Sequence, residues 1–164
     1  MANGILIYAE QRGGELTNGT WEAIAAGQTM AADLGVEARA LLVGSDVAAN
    51  AARVAAKALA EVVTVEHAKL GDYTPDGFTA AVTSAIRELD PEWVVFSHTY
   101  HVRDFAPRVA ARLDRALVGD VVKARAEGGR VVLTRQIFQG KINAEVECRT
   151  EAPRLVSFQA GAFR

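Results

Sequence analysis

One polar loop near residue 100 holds the side chains best suited to chemistry. His98 and His101 are three positions apart, and they follow the apolar run Trp93–Phe96. Imidazoles can bind a metal ion or exchange protons near neutral pH. Two histidines alone do not complete a metal site, so Asp104 or His67 would have to supply a third ligand. An enzyme built on His98, His101 and Asp104 is therefore one hypothesis.

The sequence around this loop favours a structural interpretation. No Gly-x-Ser-x-Gly nucleophile elbow occurs in the chain, so no serine is marked as activated. Cys148, the only cysteine, falls on the apolar face of an alternating strand, where we expect a small buried hydrophobic side chain. On this interpretation, His98 and His101 are polar residues at the tip of a surface loop, and Tyr100 is partly packed.

A basic helix is predicted directly after the loop. Asp104 is the predicted N-cap of a helix over residues 105–113, because its carboxylate can accept hydrogen bonds from the first backbone N–H groups. Arg103 can pair with a carboxylate or a phosphate, or reach across a subunit contact. Arg108 and Arg112 are four positions apart, so they share one helical face. That face is either simply solvated or part of an interface, where arginine is enriched.

Four short apolar runs alternate with helical segments and place this loop at a sheet edge. The predicted strands are Ile5–Tyr8, Ala38–Val43, Val62–Val65 and Trp93–Phe96. The predicted helices between them run from about Asn18 to Leu34, from an Asp46 N-cap to about Ala60, and from Thr74-Pro75 to before Pro91. This alternation predicts an α/β fold with a parallel sheet, right-handed crossovers and helices on both faces. Such sheets place their sites at the carboxyl ends of the strands.

The last third of the chain has a different pattern. Gly128-Gly129 separates two strand-like runs and is typical of a two-residue hairpin. Apolar and polar residues then alternate over Ile142–Cys148, and Leu155–Phe158 forms a final short strand. We expect an antiparallel C-terminal extension of the parallel sheet. No linker or repeat interrupts the chain, so residues 1–164 are predicted to form a single domain.

Composition excludes several classes of function. The 164 residues carry a net charge of -2, which gives no basic excess for binding nucleic acid. The amino terminus has no basic signal-peptide region, and no apolar run has the length of a membrane helix. A single cysteine gives no reason to expect an oxidising compartment. The sequence therefore predicts a cytoplasmic protein without membrane or nucleic-acid partners.

The common phosphate-binding motifs are absent. No strand is followed by Gly-x-Gly-x-x-Gly, and no Gly-x-x-x-x-Gly-Lys-Ser/Thr occurs. Gly13-Gly14 follows the first strand and is interpreted as a plain turn, since glycine adopts positive φ without steric cost. A stand-alone adenine-nucleotide-binding module remains an alternative function that the fold class permits.

Five segments, in order and spacing, resemble one known family. They are Ile5–Leu16, Arg103–Leu113, Val118–Val121, Arg135–Lys141 and Gly161–Phe163. The most specific reads Arg-Asp-Phe-Ala-Pro-Arg-Val-Ala-Ala-Arg-Leu and is similar to a helix motif of that family. The family is the N-terminal domain of the electron transfer flavoprotein alpha subunit. The resemblance covers nearly the whole chain.

The resemblance implies a three-layer, Rossmann-like α/β fold of the adenine nucleotide alpha-hydrolase-like type. It implies an electron-carrier component rather than an enzyme, with the beta subunit of the heterodimer as partner. In that family a C-terminal domain of the alpha subunit binds most of the FAD, so no cofactor is expected in this chain alone. The partner-interface residues to which we extend the resemblance are Arg103, Asp104, Arg108, Arg112 and Arg135.

The sequence also departs from the family pattern. It stops at Arg164, so the FAD-binding C-terminal domain is expected to be absent, and exposed apolar patches should make the isolated domain self-associate. His98 and Tyr100 stand where the family usually has small residues, which argues against a close approach to a phosphate there. Gln136 replaces a usual proline and Lys141 a usual asparagine.

Overall fold

A computed structural model describes residues 4–163. Its helices are α1 (Asn18–Leu34), α2 (Ala48–Ala55), α3 (Pro75–Leu89) and α4 (Tyr100–Leu113), with a 3-10 turn at Ala68–Leu70. Its strands are β1 (Ile5–Tyr8), β2 (Gln11–Arg12), β3 (Glu15–Leu16), β4 (Ala38–Gly44), β5 (Glu61–Glu66), β6 (Trp93–Ser97), β7 (Leu117–Glu127), β8 (Arg130–Ile137), β9 (Ile142–Glu147) and β10 (Arg154–Phe158).

Eight strands form one sheet in the order β5-β4-β1-β6-β10-β7-β8-β9. The pairs from β5 through to β7 are parallel, and the pairs β7–β8 and β8–β9 are antiparallel. This confirms the predicted parallel sheet with an antiparallel extension. The first strand has β4 on one side and β6 on the other. The direction in which strands are added therefore reverses between β1 and β6, and this position is the topological switch point of the sheet.

Two apolar layers cover the two faces of the sheet. All four residues of β1 are buried, and successive side chains point to opposite faces. Ile5 and Ile7 pack in the layer that includes residues of α1 and α2, while Leu6 and Tyr8 pack in the layer that includes α3 and α4. Within residues 4–163, no helix has the length and apolar character needed to cross a membrane.

The last strand does not lie at the end of the sheet. β10 lies in parallel between β6 and β7, and Leu155–Phe158 are all buried. A short apolar run with both faces covered is typical of an interior strand. The predicted extension therefore consists of β8 and β9 beside β7, and the chain then returns to the middle of the sheet.

Three predicted helix boundaries are wrong. The second helix ends at Ala55 rather than Ala60, because the Ala60 N–H donates to the Ala38 carbonyl at the edge of β4. Asp46 has φ 52° and precedes the helix, whose N-cap position is taken by Val47. The fourth helix begins at Tyr100 rather than Phe105, five residues earlier than predicted.

Candidate functional site

A cavity of about 720 Å³ opens near the carboxyl ends of β1, β4 and β6. Its lining comes from the β2–β3 hairpin, the loop after β4, the segment that joins the 3-10 turn to α3, and the first turns of α4. This is the edge of the sheet, next to the switch point, where open α/β folds hold ligands. Volumes of this size are typical of small-molecule sites.

A buried carboxylate joins the segments on either side of the switch point. Glu10 follows β1 and is 0% exposed. Its side chain accepts hydrogen bonds from Thr99 Oγ1 at 2.6 Å and from Arg12 Nε at 3.0 Å. His101 Nδ1 lies 3.5 Å from its Oε1. Glu10 thus connects the end of β1 to the start of α4.

The electrostatics of this cluster favour an ionised Glu10. Burial acts to raise the pKa of its carboxyl, but the contacts with His101, Thr99 and Arg12 outweigh burial and hold that pKa below the ordinary 4.5. Its backbone is also fixed, because the Glu10 carbonyl accepts from Thr20 Oγ1 at 2.5 Å. We conclude that Glu10 is a structural anion that organises the cavity wall.

Thr99, rather than Asp104, is the N-cap of α4. Its backbone is extended, and its Oγ1 accepts from the Val102 N–H at 3.1 Å while donating to Glu10. Asp104 is inside the helix, where its Oδ2 accepts from the Tyr73 hydroxyl at 2.7 Å. The cap prediction is wrong because Thr99 already satisfies the first turn, five residues before Asp104.

His101 is not at a surface loop tip. It lies in the first turn of α4 with 8% of its surface exposed, and its ring is perpendicular to that of Tyr73 at a centroid distance of 4.0 Å. Phe78 and Phe105 pack against it at 5.2 and 5.5 Å. Among the described residues, neither ring nitrogen has a hydrogen-bond partner of regular geometry. His101 also lines the cavity.

His98 has different neighbours. Its Nδ1 is 2.8 Å from Ser157 Oγ, and its Nε2 is 3.9 Å from Asp120 Oδ1. Burial lowers the pKa of this imidazole below 6.5, Asp120 opposes that shift, and Arg103 and Arg135 reinforce it. His98 is therefore neutral near pH 7.

These contacts do not support the enzyme hypothesis. Ser157, His98 and Asp120 are the residue types of a hydrolase triad, but Ser157 is only 2% exposed and cannot meet a substrate. His101 and Asp104 line the cavity, whereas His98 does not. Within residues 4–163, no group of three or more His, Cys, Asp or Glu side chains could hold a metal ion.

The predicted interface residues divide between two surfaces. We call Arg103, Asp104, Arg108 and Arg112 the α4 surface; all four are exposed. Arg108 Nη1 is 3.3 Å from Asp76 Oδ1. The Arg103 guanidinium lies 5.4 Å from the centre of the Tyr100 ring, which is 84% exposed rather than partly packed.

The fifth predicted residue, Arg135, lies on β8 near His98. It is paired across the sheet with Val121, and its charge acts on His98 together with that of Arg103. Its Nε is buried and has no hydrogen-bond partner among the described residues. An unpaired guanidinium N–H of this kind costs free energy unless another group satisfies it.

The cavity does not fit the phosphates of a nucleotide. Gly13 and Gly14, at φ 54° and 80°, form the turn of the β2–β3 hairpin, which confirms the plain-turn interpretation. Among the described residues, the lining carboxylates are those of Asp46, Asp72 and Asp104, and the one lining guanidinium, Arg12, already pairs with Glu10. This excess of negative charge opposes a phosphate of AMP or FAD.

Comparison with known proteins identifies the family. Residues 5–164 match the sequence model of the electron transfer flavoprotein domain. The chain belongs to the electron transfer flavoprotein domain family. This confirms the resemblance seen in the sequence, and the α/β sheet with mostly parallel strands is consistent with it.

Three relatives illustrate the match. The chain is 38% identical to an electron transfer flavoprotein subunit alpha of Bacillus subtilis (strain 168), over 86% of this chain and 43% of that protein. It is 33% identical to Protein FixB of Clostridium saccharobutylicum, over 98% of this chain and 48% of that protein. It is 31% identical to an acryloyl-CoA reductase electron transfer subunit beta of Anaerotignum propionicum, over 98% of this chain and 50% of that protein. The chain spans about half the length of the curated relatives it matches.

Sequence reasoning missed the residues that organise the cavity. Glu10, Thr99 and Tyr73 had no assigned role, although each is central to the contacts described above. One signal was available for Glu10, because a carboxylate two residues after an apolar first strand must lie at the carboxyl edge of the sheet. Tyr73 precedes the third helix in a polar segment, and no sequence pattern connects it to Asp104.

Proposed function

We propose that this chain is the N-terminal scaffold and partner-interface domain of an electron transfer flavoprotein alpha subunit. The observation that carries the proposal is the family match over residues 5–164. The proposed single domain covers residues 1–164, and its proposed role is to support electron transfer from dehydrogenases to an acceptor. The cytoplasmic location stays a prediction.

The proposed partners are the beta subunit and the alpha subunit's own C-terminal FAD domain. The exposed arginines of the α4 surface can form charge-assisted hydrogen bonds with carboxylates of a partner. Arg135 is included among the proposed contacts because it is only half-buried on β8. These contacts would orient the partner rather than carry electrons.

The FAD of the proposed heterodimer supplies the redox chemistry when it is bound. The acidic cavity and the absent phosphate loops both argue against a site for FAD within this chain. We therefore propose that the chain contributes no direct step to electron transfer, and that its contribution is to position neighbouring domains.

Titration with the beta subunit of the same organism tests this proposal. We expect a saturable complex by isothermal titration calorimetry. The triple variant Arg103→Gln/Arg108→Gln/Arg112→Gln and the single variant Arg135→Gln should each bind more weakly by about tenfold. Arg130→Gln is the matched control, because it removes an exposed guanidinium from the β7–β8 hairpin. Absence of a complex, or unchanged binding by both interface variants, would contradict the proposal.

The stand-alone adenine-nucleotide module remains the second candidate function. The position of the cavity beside the switch point favours it. The three carboxylates in the lining oppose it, because they would repel the phosphate of a bound nucleotide. We therefore rank it below the interface function.

A further inference from the structure

A second group of ionisable side chains lies outside the cavity, next to the carboxyl end of β6. We call His98, Arg103, Asp120, Arg135 and Ser157 the His98 cluster. We propose that this cluster is a docking surface for an acidic segment of the partner subunit, and that docking is coupled to the uptake of a proton by His98. The proposal rests on the partner-interface function, to which it adds the chemistry of the partner and a dependence on pH.

Five elements bring the His98 cluster together. His98 directly follows β6, Arg103 lies in α4, Asp120 in β7, Arg135 in β8 and Ser157 in β10. Asp120 has φ 60° within a strand, and the register of β7 against β8 shifts after Val121. Left-handed backbone at a residue other than glycine costs free energy, so the surrounding structure must hold it in place. At this irregularity Asp120 Oδ1 comes within 3.9 Å of His98 Nε2.

The His98 imidazole has a fixed orientation and still reaches solvent. Its Nδ1 is 2.8 Å from Ser157 Oγ, and a Cβ added at Gly119 would lie 3.3 Å from its Cε1. The His98 side chain is nevertheless 23% exposed, and that of Asp120 is 35% exposed. A proton can therefore reach the ring from solvent, and the charge that it adds lies beside a carboxylate.

Two guanidiniums act against that added charge. Burial lowers the pKa of His98, Arg103 and Arg135 lower it further, and Asp120 opposes them. Within residues 4–163, neither Arg103 nor Arg135 has a carboxylate partner. The His98 cluster thus holds two unpaired guanidiniums against one carboxylate. Since guanidiniums bind carboxylates through paired hydrogen bonds, an acidic segment is the group that this surface fits.

Docking of a carboxylate changes the proton affinity of His98 in a definite direction. A carboxylate that pairs with Arg103 and Arg135 neutralises the charges that disfavour the imidazolium, and it also attracts the imidazolium itself. The pKa of His98 is therefore higher in the complex than in the free chain. By linkage, the added affinity is fully present below the pKa of His98 in the free chain and is lost above its pKa in the complex.

Calorimetric titration with the beta subunit of the same organism measures the proton uptake. The titration is repeated at about pH 6.5 in buffers of different ionisation enthalpy, so that the number of protons bound follows from the change in heat. We expect net uptake by the parent chain, and an affinity that rises about threefold between about pH 8 and pH 6. NMR titration of the His98 imidazole, in the free chain and in the complex, tests the rise in its pKa without any substitution.

One variant and one control assign the proton to His98. His98→Asn removes the titrating ring and keeps a polar atom near Ser157, so the complex should form with less proton uptake than the parent. His67→Asn is the matched control, because it removes an exposed imidazole elsewhere. Asparagine there can still accept from the Lys69 N–H as an N-cap, and proton uptake should be unchanged. Circular dichroism checks that both variants retain the fold.

Three results would each overturn the proposal. They are a pKa of His98 that is unchanged or lower in the complex, net release of protons on binding, and equal proton uptake by the parent and His98→Asn. If a complex still forms, any of these results leaves the interface function standing. Absence of any complex would contradict both proposals.

Discussion

Glu10 shows how one residue can tie several elements together. Its side chain contacts Arg12 in β2, Thr99 at the start of α4 and His101 in the first turn of that helix. Its carbonyl accepts the hydroxyl of Thr20 in α1. Because the carboxylate is fully buried, its stabilisation depends on these partners staying charged or hydrogen-bonded.

Replacing Glu10 with glutamine should produce a pH-dependent loss of stability. The pKa of Glu10 is lowered in the folded chain, so its stabilisation is present above the ordinary pKa of 4.5 and is lost as pH falls further. We expect Glu10→Gln to destabilise the chain by about 2 kcal/mol near pH 7, and by less below the ordinary pKa. Urea unfolding across this pH range measures the difference. A constant difference at all pH values would contradict an ionised Glu10.

Thr99 and Asp104 can be compared directly as caps of α4. Thr99→Ala removes both the cap and the donor to Glu10, so we expect a loss of about 1–2 kcal/mol, with Thr99→Ser close to the parent chain. Asp104→Ala removes only the acceptor of the exposed Tyr73 hydroxyl and an exposed ion pair, and it should change stability by less than about 0.5 kcal/mol. Chemical unfolding of the three variants gives the ranking. A loss for Asp104→Ala as large as that for Thr99→Ala would contradict Thr99 as the cap.

Single residues were the hardest feature to predict from the sequence. Asp104 was assigned as a cap because aspartate favours helix starts, but Thr99 satisfies the same rule five residues earlier. His98 and His101 look alike in sequence, yet one lies beside Ser157 and the other is buried among aromatic rings. Such differences depend on contacts between distant segments, which spacing alone does not reveal.

The elements were easier to predict, because their patterns are local. The apolar runs at β1, β4, β5 and β6 were placed to within two residues of the observed strands. The hairpin at Gly128-Gly129 is also confirmed, with both glycines at positive φ. The position of β10 between β6 and β7 was not predicted, because no local pattern indicates which neighbour a short apolar strand chooses.

The packing of α1 on β1 gives a test at the scale of elements. Gly27 lies in α1, and a Cβ added there would collide with the side chain of Ile7. Gly27→Ala should therefore destabilise the chain by about 1–3 kcal/mol, although alanine is the better helix former. Thermal and urea unfolding measure the change.

A surface position on the same helix provides the control. Asp33→Ala adds helix propensity at an exposed site and should change stability by less than about 0.5 kcal/mol. Stabilisation by Gly27→Ala would mean that α1 and β1 are less closely packed than the structure describes.

At the scale of the whole molecule, exposed apolar side chains bear on the predicted self-association. Phe138 and Ile142 are 70% and 52% exposed and flank the turn between β8 and β9. We expect the chain to self-associate at high concentration in sedimentation velocity, because these large apolar side chains are left exposed. The double variant Phe138→Asn/Ile142→Thr should reduce self-association. Asparagine tolerates the φ of 51° at residue 138. The control Tyr100→Ser removes an exposed ring at the start of α4 and should leave self-association unchanged. A strictly monomeric parent chain would contradict the prediction.

In the proposed function, this chain positions partners and holds no nucleotide of its own. Its most direct test is an absorbance spectrum with nucleotide extraction, performed on the purified chain alone and after addition of FAD and the beta subunit. We predict neither flavin nor adenine nucleotide in the chain alone, and a flavin-containing complex only when a longer alpha subunit joins the beta subunit. Stoichiometric AMP or FAD recovered from the chain alone would contradict the account and favour the nucleotide-binding module.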